Sequence, residues 1–351
     1  MPDSAISRPR YQGLSAARRW EHDPAPPRAE FSLAAGDRIG ELTIIGHLAC
    51  GRATELYQVW SDRHWTALTG KITSPAHLGN GTPAAFQMEA RVLAKLQHPN
   101  IVRFFGTGVA EGRPYLLLEY FAGPSLFDVL EGLPKRRLHV PDAIRATMHV
   151  GAAVHYLHRC GYLYRDLKPA NILLREGIPV LVDFDVVRRI NLRGRPSDRL
   201  GTAPYMAPEQ IRKEALSAAT DVYGLGALLY ELLTGHWPTE EPRDEDEDDW
   251  DDDEPPARPV SSDRAARTMR TGELVTRYPQ LTRSPVPPRQ HNPQVTTELE
   301  RVMLRCLDRD PAQRFQTVSG LLAALAPLLK GRYKLWPDGA PIERRADTES
   351  R

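Results

Sequence analysis

The chain has little cysteine: three in 351 residues, Cys50, Cys160 and Cys306, far apart and odd in number. No C-x-x-C pair occurs, which speaks against a zinc site or a disulfide framework and fits a reducing, cytoplasmic compartment. Long apolar runs are missing as well. The start, MPDSAISRPRYQGL, has no apolar stretch of the kind a secretion signal carries. The longest apolar run near the end, LLAALAPLL at 321–329, has nine residues and a proline. A membrane-spanning helix needs about 20, so this run reads as a packed terminal helix, and the expectation is a soluble chain without an integral membrane segment. Net charge is close to absent, at +1, so no global field points to nucleic acid. Lysine is scarce: seven of the 46 basic residues, the rest being arginine. Where arginine is the habitual cation, a lysine marks a place that calls for a compact ammonium.

A hydrophobic fraction of 41% supports an ordinary core, and the length suffices for one large domain or two modest ones. Residues 1–36 are rich in Pro, Arg, Ala and Ser without a sustained apolar period, and are expected to be a disordered tail. From Asp37 the pattern changes. RIGELTIIGHLA, TELYQVWS and WTALTGKIT read as short strands. TPAAFQMEARVLAKLQ reads as a helix with Phe86, Ala90, Leu93 and Leu96 on one face, ended by HPN because proline disfavours helix at the preceding residue. IVRFFGTGVA and RPYLLLEYFA restore strand character. After Gly123 the chain turns helical: SLFDVLEGL, PDAIRATMHVGAAVHYLHRCG, TDVYGLGALLYELLTG and TELERVMLRCLDRD, interrupted by the strand-like NILLRE and PVLVDF. The fold class is therefore α+β, with two lobes: a small β-rich one with one main helix at about 39–120, and a larger helical one at about 121–330. Ligand sites often lie at such a boundary. Residues 331–351 form a C-terminal tail. The acidic run at about 239–258 should be a solvated insertion, or else a docking site for a basic partner.

The most informative stretch is YLYRDLKPANILL, residues 162–174. Asp166, Lys168 and Asn171 fall in one polar loop between a helix and a strand. A carboxylate, an ammonium and a carboxamide suit phosphoryl transfer: one accepts a hydroxyl proton, one neutralises phosphate charge, one holds a divalent metal. Asp183, at the end of the next strand and 17 residues after Asp166, could share that metal with Asn171 through oxygen ligands.

Here the chain resembles the eukaryotic-type protein kinases, with the bacterial serine/threonine branch nearest in LQHPNIVRFFG and LLLEYFAG. YRDLKPAN resembles the catalytic loop, and DFD at 183–185 stands where the family has DFG. GTAPYMAPE at 201–209 resembles the end of the activation segment, and CLDRDPAQRF a late motif whose arginine, here Arg314, pairs with Glu209. Several ordered motifs over about 39–330 make the resemblance specific. It implies a protein kinase fold and a serine/threonine protein kinase that uses ATP with Mg2+ or Mn2+ on a protein hydroxyl. Asp166 and Lys168 take the catalytic positions, and Asn171 and Asp183 the metal positions. Lys71 in TGKI takes the place of the phosphate-holding lysine, and Glu89 that of its helix partner. Alone, each would read as a surface charge. The hinge falls at Glu119 to Phe121, with Leu118 behind it, and Leu48, Leu56 and Leu173 should sandwich the base. Arg165 stands where the family holds a loop phosphate, and Ser197 is the expected autophosphorylation position.

The chain departs from the family in three places. In ACGRAT only Gly51 survives of the three phosphate-loop glycines, with Ala49 and Thr54 at the other two. Tyr164 replaces the histidine before Arg165, as an apolar filler. Asp185 replaces the DFG glycine; aspartate tolerates left-handed backbone, and its carboxylate is expected to face solvent or bond nearby backbone, or else to hold a water of the metal's shell. These changes keep open a pseudokinase, a nucleotide-binding or scaffold module with little transfer. A small-molecule kinase is the weaker alternative. No charged group of the set is missing, which favours an active enzyme.

Overall fold

Strict alternation in TELYQVWS gives the first strand of consequence. Glu55, Tyr57, Val59 and Ser61 are buried on one face of β3 (Thr54–Ser61), and Thr54, Leu56, Gln58 and Trp60 are half-buried on the other. In the computed structural model, which describes residues 31–51, 53–78, 82–190, 200–240 and 271–329, β3 lies in an antiparallel sheet. The other strands are β1 (Arg38–Ile39), β2 (Leu42–Cys50), β4 (Thr66–Thr73), β5 (Phe104–Ala110) and β6 (Arg113–Glu119), in the order β1-β2-β3-β4-β6-β5. Ile39, Leu42, Ile44, Tyr57, Val59, Leu68, Ile72 and Leu117 form the core on one face. Helix α1 (Thr82–Leu93) closes against Leu116 with Phe86 and Ala90. It is shorter than the pattern predicts: the N–H groups of Lys95 and Leu96 bond only three residues back, the tighter turn that brings the chain to His98-Pro99.

Residues 31–36, placed in the tail by the sequence reading, are described and pack on the small lobe. Phe31 stacks on His47 at 4.3 Å, and Leu33 packs on the same core. Glu55 sits at an inward position of β3, and a buried carboxylate needs partners. Ser32 Oγ (2.6 Å) and Arg113 Nη2 (3.1 Å) supply them, with the Tyr57 hydroxyl. Residues 1–30 and 330–351 lie outside the described residues, as do 241–258 of the acidic run and Ser197.

The second lobe begins at α2 (Leu126–Glu131), started by a reciprocal Ser125–Asp128 cap. Its centre is α5 (Ala218–Thr234), nearly all buried, packed by α3 (Val140–Arg159), α8 (Thr297–Cys306) and α9 (Val318–Leu325). Smaller helices α4 (Pro208–Arg212), α6 (Thr271–Arg277) and α7 (Pro288–His291) fill the periphery. Four short strands serve the cleft: β7 (Tyr162–Leu163) pairs with β10 (Arg188–Arg189), and β8 (Ile172–Arg175) with β9 (Ile178–Leu181). The lobes are tied by backbone: Val102 donates to Leu181 O and Leu181 to Asn100 O, both at 2.9 Å. At the start of the large lobe, Leu174 donates to Pro124 O at 2.9 Å. Gly123 is required at this crossing, because a β-carbon there would stand 1.6 Å from the Leu174 carbonyl oxygen. Among the described residues no helix is long and apolar enough to cross a membrane.

Candidate active site

The loop between β7 and β8 is held from beneath by a carboxylate that sequence reading passed over. Asp221, in the first turn of α5, is buried and accepts the backbone N–H groups of Tyr164 and Arg165, each at 2.8 Å, and pairs with His158 Nε2 at 2.7 Å. Arg165 has φ of 77°, a left-handed value that costs a non-glycine residue of order 1–3 kcal/mol. Gln210 Nε2 donates to its carbonyl at 3.1 Å, so the strained residue is fixed on both sides. The sequence signal was an aspartate in the first turn of a largely apolar helix.

That frame presents Asp166. Its Oδ1 accepts from Thr202 Oγ1 at 2.8 Å, and its Oδ2 from Asn171 Nδ2 at 2.9 Å. Lys168 Nζ lies 3.0 Å from Oδ2 and donates to Thr202 Oγ1 at 2.8 Å. Thr202 thus joins the predicted acid and ammonium, a role the sequence did not reveal. The amide nitrogen of Asn171 also reaches the Asp166 carbonyl at 3.0 Å, which leaves its oxygen as the atom available to a cation. Tyr164 is fully buried and meets Phe184 edge-on at 5.4 Å, as an apolar filler should. Burial, with Asp183 and Asp166 nearby, pushes its hydroxyl well above the ordinary tyrosine value.

Across the cleft, Lys71 on β4 meets Glu89 of α1 through both carboxylate oxygens, at 3.0 and 3.1 Å, with both side chains buried. It also meets Asp183 Oδ1 at 3.3 Å. Burial alone would drive the proton off Lys71, but Asp183, Asp185 and Glu89 outweigh it and hold the ammonium well above the lysine range. Burial disfavours charge on Asp183, yet Lys71, the Asp185 N–H and Lys168 hold its carboxyl below the usual range. Asp185 adds to the sequence reading. It is exposed, in line with the expectation that it faces solvent, but its carboxylate also meets the Lys71 ammonium, a partner that reading did not include. Its backbone N–H donates to Asp183 Oδ1 at 3.2 Å. Its φ is not positive, so the left-handed tolerance of aspartate is not what places it there. The physical reason is the ammonium: a buried cation attracts the nearest carboxylate more strongly than water hydrates it.

Leu48, Leu56 and Leu173 are all half-buried; Leu56 stands opposite Lys71 in the β3–β4 register, and Leu173 bridges to Ser125. Leu118 is buried behind the crossing strand, and Phe121 packs on the large core. The Glu119 side chain pairs with Arg175 at 2.9 Å, while its carbonyl accepts from Thr69 Oγ1 at 3.3 Å. Gly51 closes the β2–β3 turn through its N–H to Thr54 O at 2.9 Å. Among the described residues, the carboxylates of Glu89, Asp183 and Asp185 lie close enough together to surround one cation. Lys71 occupies that role here. The set fits an anionic nucleotide with a hard divalent cation: apolar walls, a buried ammonium, and free oxygens from Asn171 and the Asp183 side chain. Away from the cleft, Arg314 binds Glu209 through two bonds, 2.7 and 2.9 Å, as the resemblance implies.

Comparison with known proteins agrees with this arrangement. The protein kinase domain family matches residues 42–324. The serine/threonine-protein kinase PknB of Mycolicibacterium smegmatis is 32% identical over 279 residues, 76% of this chain and 38% of that protein. PknB of Mycobacterium tuberculosis is 33% identical over 260 residues, 70% of this chain and 36% of that protein. The chain therefore spans less than two-fifths of the length of these relatives. The PknI kinase domain of M. tuberculosis shares the fold, with a TM-score of 0.60 at 23% identity over 85% of this chain and 99% of that one. Since the match covers most of the described residues and the two lobes enclose a cleft with these groups facing it, the chain belongs to the protein kinase domain family.

Proposed function

We propose that the chain is a serine/threonine protein kinase that transfers the γ-phosphate of Mg-ATP to protein hydroxyls. One observation carries the reading: Asn171, Lys168 and Thr202 all converge on Asp166, while Lys71 is held by Glu89 beside Asp183. Asp166 takes the proton of the acceptor hydroxyl, and its two oxygens are oriented for this by Thr202 and Asn171. Lys168 lies against Asp166 and places positive charge where the transferred phosphoryl group gathers negative charge. Lys71 positions the nucleotide phosphates, and Leu48, Leu56 and Leu173 clasp the base at the Glu119–Phe121 backbone. Asn171 and Asp183 would hold the cation, Mg2+ or Mn2+, which when bound neutralises phosphate charge. Serine or threonine as acceptor is supported by the Lys168–Thr202 contact and by the names of the relatives.

The test is labelled-ATP transfer by wild type beside Asp166→Ala and Asp183→Asn. Transfer by wild type that falls at least a hundredfold in both variants supports the reading; background label in all three overturns it. A pseudokinase finds its support in Asp185 on Lys71 and in the single loop glycine, and would show nucleotide-dependent thermal stabilisation without transfer. Three narrower proposals accompany the activity: autophosphorylation at Ser197, a cytoplasmic location, and docking of a basic partner on the acidic run at 239–258. Mass spectrometry of active protein tests the first, fractionation of cells the second, and salt-sensitive binding of a basic peptide the third.

A further inference from the structure

A lysine ammonium carries three hydrogens to donate. On Lys71 all of them are engaged: with Glu89 at 3.0 and 3.1 Å, with Asp183 at 3.3 Å, and with Asp185. A phosphate oxygen can take a hydrogen from Lys71 only when one carboxylate lets go. The exposures of the side chains decide which. Glu89 is 1% exposed, and releasing it would leave a buried polar group with no water to replace its partner; Asp183 is 38% exposed and is also held by the Asp185 N–H; Asp185 is 47% exposed. Asp185 is the one that water can receive most readily. The count of groups sharpens the point, since one ammonium faces three carboxyl groups where a polyanion must bind.

We infer that Asp185 is a built-in competitor of the nucleotide: its carboxylate occupies the place of a phosphate oxygen on Lys71 and must be displaced before the phosphates can be held. The side chain therefore sets how strongly the cleft distinguishes phosphorylated ligands from the bare nucleoside. A site whose binding-competent form is only fractionally populated shows an affinity reduced by that fraction. For a partly exposed ion pair the reduction is on the order of tenfold for ligands that need Lys71, and absent for those that do not. The position has no backbone reason to carry aspartate, because its φ is not positive. The inference rests on the nucleotide-site reading above, and the assay separates the two.

The experiment is calorimetric titration of ADP and of adenosine, at fixed Mg2+, into wild type, Asp185→Asn and Asp185→Gly. A remote control, Asp62→Asn, removes a carboxylate that pairs with Arg38 on the small-lobe surface. Asp185→Asn is expected to tighten ADP about tenfold while adenosine stays within twofold, with Asp185→Gly alike and the control unchanged. Unchanged ADP affinity in both Asp185 variants overturns the inference. Weakened ADP affinity overturns it in favour of a cation ligand at Asp185, and equal tightening of adenosine overturns it in favour of a change in cleft shape. If adenosine and ADP bind none of the proteins, the nucleotide site itself is refuted.

Discussion

The pair between Glu209 and Arg314 allows the sharpest test of how the large lobe is held together. Both side chains are buried, and Arg314 lies over the Tyr223 ring at 5.0 Å. Besides its two bonds to Glu209, the guanidinium donates to the carbonyls of Asp308 at 2.7 Å and Ala219 at 2.9 Å. Thr220 Oγ1 donates to the same carboxylate at 3.0 Å. Arg314→Met keeps the apolar stem but leaves Glu209 without its cation, and removes a donor from the carbonyls of Asp308, Ala219 and Arg309. Removing one partner of a buried pair costs about 3–5 kcal/mol. At roughly 2–4 °C of melting temperature per kcal/mol for a large domain, the drop should be on the order of 10 °C. Adding Glu209→Leu removes the stranded carboxylate, so the double variant should be at least about 2 kcal/mol more stable than the sum of the single changes predicts. Urea unfolding of the four proteins measures this. A cost below about 1 kcal/mol for Arg314→Met, or additivity within about 0.5 kcal/mol, would refute the argument that the pair is a coupled unit.

Other consequences can be checked as directly. Thr202→Val removes the hydroxyl between Lys168 and Asp166, and losing a bond to a charged group at about 1.5–3 kcal/mol should lower kcat roughly ten- to a hundredfold, with Thr202→Ser close to wild type. Gly123→Ala places a β-carbon 1.6 Å from the Leu174 oxygen and should destabilise the fold by about 1–3 kcal/mol or more by overpacking, read by thermal melting. Burial opposes charge on Glu55, but Ser32, Tyr57 and Arg113 hold its carboxyl below the ordinary value. Its contribution to stability is therefore present above about pH 4.3, the unfolded value, and is lost as pH falls through the folded one. The melting-temperature gap between wild type and Glu55→Gln should shrink below pH 4; a gap that stays constant from pH 7 to 3 would contradict this. Burial pushes the Cys306 thiol up to about 12, so a thiol reagent at pH 8 should label exposed Cys160 in the native protein and Cys306 only in denaturant.

The local pattern was legible in the chain itself. Alternation in TELYQVWS sets a two-faced strand, the spacing of Phe86, Ala90 and Leu93 sets the buried face of α1, and all three are buried, as is Leu96 in the turn that follows. Asp166, Lys168 and Asn171 were readable because the chemistry that joins them lies within six residues. Lys71, Glu89 and Asp183 were readable as residue types at motif positions. Phe31 and Ser32 were not, because their partners lie far along the chain, His47 and Tyr57 for Phe31 and Glu55 for Ser32, and a proline-rich run ahead of them masks the boundary.

Asp221 and Thr202 belong to the same class: their roles exist only once α5 and the segment before α4 are folded under the catalytic loop. The plainest division is at Asp185. Its identity, and its departure from glycine, could be read from three letters. Whether its carboxylate meets water, metal or ammonium could not, because Lys71 is 114 residues away. Sequence alone thus determined the charged groups this protein brings to its cleft. Packing of the two lobes decided which carboxylates share the Lys71 ammonium, since long-range electrostatic pairing depends on distance and burial, and neither is written locally in the chain.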